Sequence, residues 1–205
     1  QLTWAGADKY TRMENLPRSV VLANASGAFG TIIAEYAIGS LVALYRSFGR
    51  YWSNKQAHIW QKYDHAETIS GKTALVLGMG DIGANVARRL KVFGAAVLGV
   101  KRTAVSAVPE DFEEAHTLDA LDALLPRADI VIGCLPNTRE TAGLLTAERL
   151  HAMKAGAVLV NVGRGSLAGT DDLVSALQDG HLGGAALDVF ETEPVSYTHL
   201  RAHET

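Results

Sequence analysis

From Gly71 onward, short apolar runs alternate with helical patterns, and that rhythm admits few folds. The run Thr73–Leu77 reads as a strand buried on both faces, and Ala95–Val100, Asp129–Leu135, Ala157–Val162 and Gly184–Val189 read as further strands. Helices fit between them. Ile82, Val86, Leu90 and Phe93 mark one helix face, and Gly94 ends it. Thr117 caps a helix that Pro126 stops after Leu125, Thr146 caps one that ends before Gly156, and Thr170 caps one reaching Gly180. A further short strand fits near Ala115-His116, inside the longer connection 103–116. Strands alternating with single helices predict an α/β fold: a doubly wound parallel sheet covered on both faces. Right-handed crossovers then put ligand sites at the carboxyl ends of the strands.

Upstream the pattern differs. Residues 1–27 are irregular, with Gly6, Pro17 and Gly27. From Thr31, the residues Ile33, Ala37, Leu41, Leu44, Phe48 and Tyr51 recur at spacings of four and three. This predicts one long helix over 31–52, with Glu35, Arg46 and Arg50 away from its apolar face. His58, Trp60, Tyr63 and His65 follow in a loop-like stretch.

Composition narrows the function classes. The 205 residues are 48% apolar and 20% charged, enough to bury a core without staples. The 19 basic and 22 acidic residues leave a net charge of −3, no footprint for nucleic acid or an anionic membrane. The single cysteine, Cys134, excludes a disulfide framework and a cysteine-based zinc site, and no metal is expected. No apolar run reaches the ~18 residues of a membrane span, and no signal-peptide pattern opens the chain. The expected setting is the cytoplasm.

Gly78-Met79-Gly80-Asp81-Ile82-Gly83 is a G-x-G-x-x-G that follows a predicted strand and opens a predicted helix. In that context the motif binds a dinucleotide. Gly78 permits the tight turn, Gly80 lets backbone approach a pyrophosphate, and Gly83 lets helix and strand pack closely. The helix N-terminus supplies free N–H groups and a partial positive charge. Asp81 is expected to face solvent or contact ribose. A site for NAD places a carboxylate about 20 residues on, against the ribose 2′-hydroxyl. Here Lys101 stands 18 residues after Gly83, followed by Arg102 and Thr103, with no carboxylate until Glu110. A cation pair there suits a 2′-phosphate, so NADP is expected ahead of NAD.

Asn161-Val-Gly-Arg164-Gly165 sits at the carboxyl end of the strand 157–162. Glycines on both sides of Arg164 suggest a tight loop that aims a guanidinium, able to hold a carboxylate bidentately and polarise a neighbouring carbonyl. Asp188 ends the last strand, and Glu193-Pro194 follows five residues on. A carboxylate there can bind a carboxamide or orient an imidazole.

Together these pieces resemble one family. Leu77-Gly-Met-Gly-Asp-Ile-Gly83, Leu135-Pro-Asn-Thr-Arg-Glu-Thr141, Asn161-Val-Gly-Arg-Gly165 and Ala186-Leu-Asp-Val-Phe-Glu-Thr-Glu-Pro194 are similar, in order and spacing, to the NAD(P)-binding domain of the D-isomer-specific 2-hydroxyacid dehydrogenases. Lys101-Arg102 in place of the usual Asp resembles the glyoxylate/hydroxypyruvate reductase branch that uses NADP. The Ala34-Glu35 helix resembles the family's dimer arm, and Trp4-Ala-Gly-Ala-Asp8 the end of its substrate domain. The resemblance implies a Rossmann fold and hydride transfer between NADP(H) and a small 2-keto or 2-hydroxy acid. It implies that Arg164 binds the substrate carboxylate and carbonyl, and that Glu193 pairs with a catalytic His and keeps it protonated. Asp188 would bind the carboxamide. Asp81-Ile82, Leu135-Pro136, Thr141 and Val162-Gly163 would line the dinucleotide. A homodimer through 31–52 is implied as well.

One departure bears on activity. The family's acid–base His lies some twenty residues beyond the Glu, and here 12 residues follow Glu193. His199 and His203 stand at the wrong spacing, and His58, His65, His116, His151 and His181 read as solvated or structural. Val195–Thr205 resembles the read-through of a sequencing-library adapter and is expected to be a non-native tail. The expected organisation is a remnant of a flavodoxin-like substrate domain over 1–27, a dinucleotide-binding domain over 28–194, and the tail over 195–205. The expected state is a fragment truncated at both ends and inactive by itself. The alternative is a corepressor-like binding module without turnover, which would not need Arg164 together with Glu193. Formate or phosphite oxidation uses the same Arg but expects an acid at 101, where this chain has Lys101.

Overall fold

The apolar runs and the short segment at His116 join one parallel sheet. A computed structural model describes residues 1–3, 6, 7, 10, 13, 15, 17, 19–63 and 66–193. Its strands are β1 (Thr73–Leu77), β2 (Ala96–Lys101), β3 (Glu114–Thr117), β4 (Ile130–Gly133), β5 (Val158–Asn161) and β6 (Gly184–Leu187). Their order is β3-β2-β1-β4-β5-β6, the Rossmann order, with the reversal between β1 and β4. The helices are α1 (Gly30–Tyr45), α2 (Phe48–Gln56), α3 (Asp81–Val92), α4 (Leu121–Leu124), α5 (Ala147–Ala152) and α6 (Thr170–Gln178).

Period-two alternation divides the strands between two cores. Register sets Leu75 beside Leu98 and Val131, and Val131 beside Leu159. These pack on one face with Leu121, Leu124, Leu150 and Leu173 from α4, α5 and α6. Ala74, Val76, Val97, Ile130 and Val160 point the other way, onto Ala34, Ala37 and Leu41 of α1 and Val86 and Leu90 of α3. A fully buried leucine such as Leu75 is worth about 2–5 kcal/mol against truncation to alanine. The starts of β1 and β4 are tied by Asp129, whose carboxylate accepts from the Thr73 N–H at 2.8 Å and from Lys154 Nζ at 3.0 Å.

Several expectations need correction. The 31–52 helix is two helices, broken where Ser47 takes a left-handed φ of 53°. The break follows Tyr45, the last buried residue of α1; α2 buries nothing, so no packing holds the axis straight. Phe48 and Tyr51 are exposed, and so is Phe93, which lies past the end of α3. Thr117 bonds the Asp119 side chain rather than a backbone N–H, and short 3-10 turns flank α4. Pro126 lies within the second of those turns instead of stopping a helix. Thr146 does cap α5, accepting from the Arg149 N–H at 3.4 Å. Thr170 is the first residue of α6; its N–H is capped from afar by Glu191 Oε2 at 2.6 Å. Trp4, Ala5 and Asp8, His65, His199, His203 and all of 194–205 lie outside the described residues. Among the described residues no helix is long and apolar enough to cross a membrane, and no cluster of His, Cys, Asp or Glu is placed to hold a metal ion.

Candidate active site at the carboxyl edge of the sheet

The turn after β1 is shaped by its glycines. Gly78 has a φ of 106°, which L side chains resist, and a Cβ there would meet the Cys134 carbonyl oxygen at 2.8 Å. Its N–H donates to the Val100 carbonyl at 2.8 Å, which ties the turn to β2. A Cβ on Gly83 would run into the Gly78 carbonyl, so α3 starts in direct contact with the turn. Gly80 is different. Its backbone is extended (φ −83°, ψ −161°), and a Cβ would meet nothing within 4 Å. The protein itself does not need glycine at 80; a ligand approaching the backbone would. Gly80 is also the N-cap of α3 and makes no side-chain cap bond, so the first-turn N–H groups keep their anion-binding character.

These residues floor a cleft of about 490 Å³. Gly80, Asp81, Ile82 and Gly83 face Leu135 and Pro136 after β4, and Val162, Gly163 and Arg164 after β5. Ser26, Gly27, Phe29 and Ile33 form a further wall, which no sequence motif announced. Asp81 lines the cleft, but its carboxylate is partly committed elsewhere. It accepts from Asn85 Nδ2 at 3.2 Å and lies where a Cβ on Gly30 would be, 2.5 Å from Oδ1. Glycine at the start of α1 is thus what admits Asp81. Cys134 also lines the cleft, and burial pushes its thiol up to about 12, leaving it a protonated, inert wall.

Not every predicted residue reaches the cleft. Lys101 ends β2, half-buried, with Arg102 and Thr103 exposed beyond it. They stand at the β2 side of the glycine turn rather than in the cleft wall. Thr141 is buried behind the wall, its hydroxyl bonded to the Pro136 carbonyl at 2.5 Å and to the Thr138 N–H at 2.9 Å.

Arg164 and Glu193 do come together. Both line a second cavity of about 250 Å³ with Asn137 and Phe190. Arg164 lines the large cleft as well, so it stands where the two spaces meet. Its Nη1 donates to the Gly163 carbonyl at 2.7 Å. A Cβ on Gly165 would collide with the Phe190 backbone, so glycine there lets the Arg164 loop close on the segment carrying Glu193. Glu193 Oε1 accepts from the Phe190 N–H at 2.8 Å. Asp188 follows β6, its N–H bonded to the Asn161 carbonyl at 3.0 Å. Burial, then the nearby charge of Glu193, raises its carboxyl above the ordinary range.

Three of the four described histidines are engaged elsewhere. His116 pairs with Glu114 at 2.8 Å, and His151 with Asp179 at 2.8 Å. His181 bonds the Met153 carbonyl at 3.0 Å, and His58 sits in a loop with a φ of 53°. None of these four lines either cavity.

Comparison with known proteins agrees with this geometry. Residues 38–205 match the family model described as D-isomer specific 2-hydroxyacid dehydrogenase, NAD binding domain. The chain belongs to that family. A D-3-phosphoglycerate dehydrogenase of Mycobacterium leprae is 38% identical over 184 residues, covering 89% of this chain and 34% of that protein. A solved D-isomer specific 2-hydroxyacid dehydrogenase family protein of Aeromonas salmonicida is 39% identical with a TM-score of 0.85, covering 95% of this chain and 61% of that one. An NADPH-dependent glyoxylate/hydroxypyruvate reductase of Sinorhizobium meliloti, solved with NADP and sulfate, is 30% identical with a TM-score of 0.83 over 95% of this chain and 62% of that one. The chain therefore spans about a third of the mycobacterial enzyme and under two thirds of these solved relatives.

Proposed function

We propose that this chain is the dinucleotide-binding part of an NADP(H)-dependent reductase of small 2-keto acids of the glyoxylate or hydroxypyruvate type, acting in the cytoplasm as a homodimer. The observation that carries the reading is Arg164 at the meeting of the two spaces, with Glu193 lining the smaller one. A pure dinucleotide binder has no use for that pair.

The cleft fits the cofactor: an open face over Gly80, an α3 N-terminus free of side-chain caps, and room of about 490 Å³. Asp81, Ile82, Leu135, Pro136, Val162 and Gly163 would hold it, with Lys101 and Arg102 at the 2′-phosphate. When bound, the nicotinamide supplies or accepts the hydride. Arg164 holds the substrate carboxylate in its fork and draws electron density from the adjacent carbonyl oxygen. In this reading Glu193 pairs with an imidazole, keeps it protonated and orients it for proton donation to the developing alkoxide. Asp188 offers an acceptor to the carboxamide. None of the four described histidines lines either cavity, so the imidazole that pairs with Glu193 is expected outside that set, and turnover is expected of a protein of the relatives' length. For the homodimer, the support is the exposed aromatic stretch Phe48, Tyr51 and Trp52 on α2, with Trp60 fully exposed beside it.

Binding and turnover test the proposal separately. The 205-residue chain is expected to bind NADPH more tightly than NADH, and the full reading frame to oxidise NADPH with glyoxylate or hydroxypyruvate. Tight binding with no turnover in the full reading frame would leave a binding module and sink the enzyme.

A further inference from the structure

Among the described residues two polar side chains are buried, Thr141 at 6% and Asn161 at 3% exposure. Burying a polar group is costly unless its bonds are made. Both residues spend theirs on backbone groups of the loops that wall the cleft. Asn161 ends β5. Its Nδ2 donates to the Arg164 carbonyl at 2.9 Å, and its Oδ1 accepts from the Gly163 N–H at 3.1 Å. One amide thus closes the turn that carries Arg164.

Thr141 does the same for the loop after β4. Its hydroxyl donates to the Pro136 carbonyl at 2.5 Å and accepts from the Thr138 N–H at 2.9 Å. A hydroxyl has one proton, so the contact with Thr138 Oγ1 at 3.1 Å has Thr138 as donor. The two loops also touch. A Cβ on Gly163 would meet the Leu135 carbonyl oxygen at 2.7 Å and its nitrogen at 2.9 Å. A shift in either loop is therefore felt by the other.

We infer that Thr141 and Asn161 are a coupled pair of positioning residues, which hold the β4 and β5 loops in the shape that takes the nicotinamide half of the dinucleotide. Neither is among the cleft-lining residues. The inference rests on the dinucleotide-binding reading above. The adenosine half belongs to the β1–β2 side of the crevice, which neither residue touches.

Calorimetric titration of the 205-residue chain separates the roles. The ligands are NADPH and NADH as whole dinucleotides, and 2′,5′-ADP and ADP as adenosine halves. The isosteres T141V and N161L are each expected to weaken the tighter-binding dinucleotide about tenfold, with the halves unchanged to within about twofold. T141S restores binding, and the double variant loses much less than the product of the singles, because the loops share one contact. Unchanged dinucleotide binding in folded variants would overturn the inference. So would an equal loss of halves and wholes, which is what a merely structural role predicts. If N161L fails to fold, T141V against T141S decides. A wild-type chain that binds no dinucleotide would instead overturn the functional reading, which keeps the two failures distinct.

Discussion

The two ends of the cleft are built from different materials. On the β1 side the site is backbone: Gly78, Gly80 and Gly83 shape the turn from β1 into α3, beside strands whose side chains are almost wholly buried. On the β5–β6 side it is side chains: Arg164, on a loop closed by the Asn161 amide, and Glu193, bonded to the Phe190 N–H, beside the half-buried edge strand β6. A phosphate needs only N–H groups and a dipole, which a glycine turn provides wherever the fold forms. A carboxylate and a developing alkoxide need charged groups at set positions, and those must be braced. At Gly78 and Gly83 the first region is inseparable from folding, whereas Gly80 and the second region can be altered with the fold intact.

That contrast is open to direct attack. Gly83→Ala drives a Cβ into the Gly78 carbonyl and is expected to cost about 3 kcal/mol, read as a fall in the thermal midpoint with dinucleotide binding lost alongside. Arg164→Gln should behave oppositely. Stability stays within about 0.5 kcal/mol, while kcat/KM of the full reading frame for glyoxylate falls by about two to three orders of magnitude. A parallel loss of stability in R164Q would erase the distinction. The double substitution K101D/R102A tests the β2 end. NADPH affinity should fall about tenfold or more while NADH is spared, and an equal loss of both would remove the 2′-phosphate from that corner.

The smallest effect is a titration. Desolvation raises the Asp188 pKa, and the charge of Glu193 adds to the rise. Because the folded-state value is raised, the fold favours protonated Asp188, and stability is lost rather than gained as pH climbs through that range. Glu193→Gln removes the lesser cause, so the Asp188 carboxyl carbon should titrate at lower pH by NMR, yet still above an ordinary Asp. No movement would mean that the two carboxylates do not sense each other.

Legibility in the sequence follows the same division. The strands and the glycine turn are local, so periodicity and spacing find them: β1 spans Thr73–Leu77 as the apolar run predicts. The cap at Thr146 is equally local. What depends on distant packing is not readable. The 31–52 helix bends because burial stops at Tyr45, which periodicity alone cannot reveal. Phe93 extends an apolar spacing but sits past the turn that ends α3, where it is exposed. Thr170 looks like a cap, yet the capping oxygen comes from Glu191, across 21 residues of chain. Thr141 has the right motif and the wrong side of the wall. The Gly30 seat for Asp81 and the Phe29 wall leave no signal, since glycine and phenylalanine near a helix start have many explanations. Asn161 could have been singled out as a polar residue ending an apolar run at a predicted site edge.

Gly80 is where the protein leaves empty space and the cofactor is expected. Gly80→Val places its Cβ in space that is empty to 4 Å, with no positive φ to strain. NADPH titration of this variant beside the wild-type chain, with thermal midpoints of both, is the most direct measurement. The prediction is an unchanged midpoint and NADPH binding reduced about a hundredfold or lost. Equal NADPH affinity in an equally stable G80V chain would contradict it.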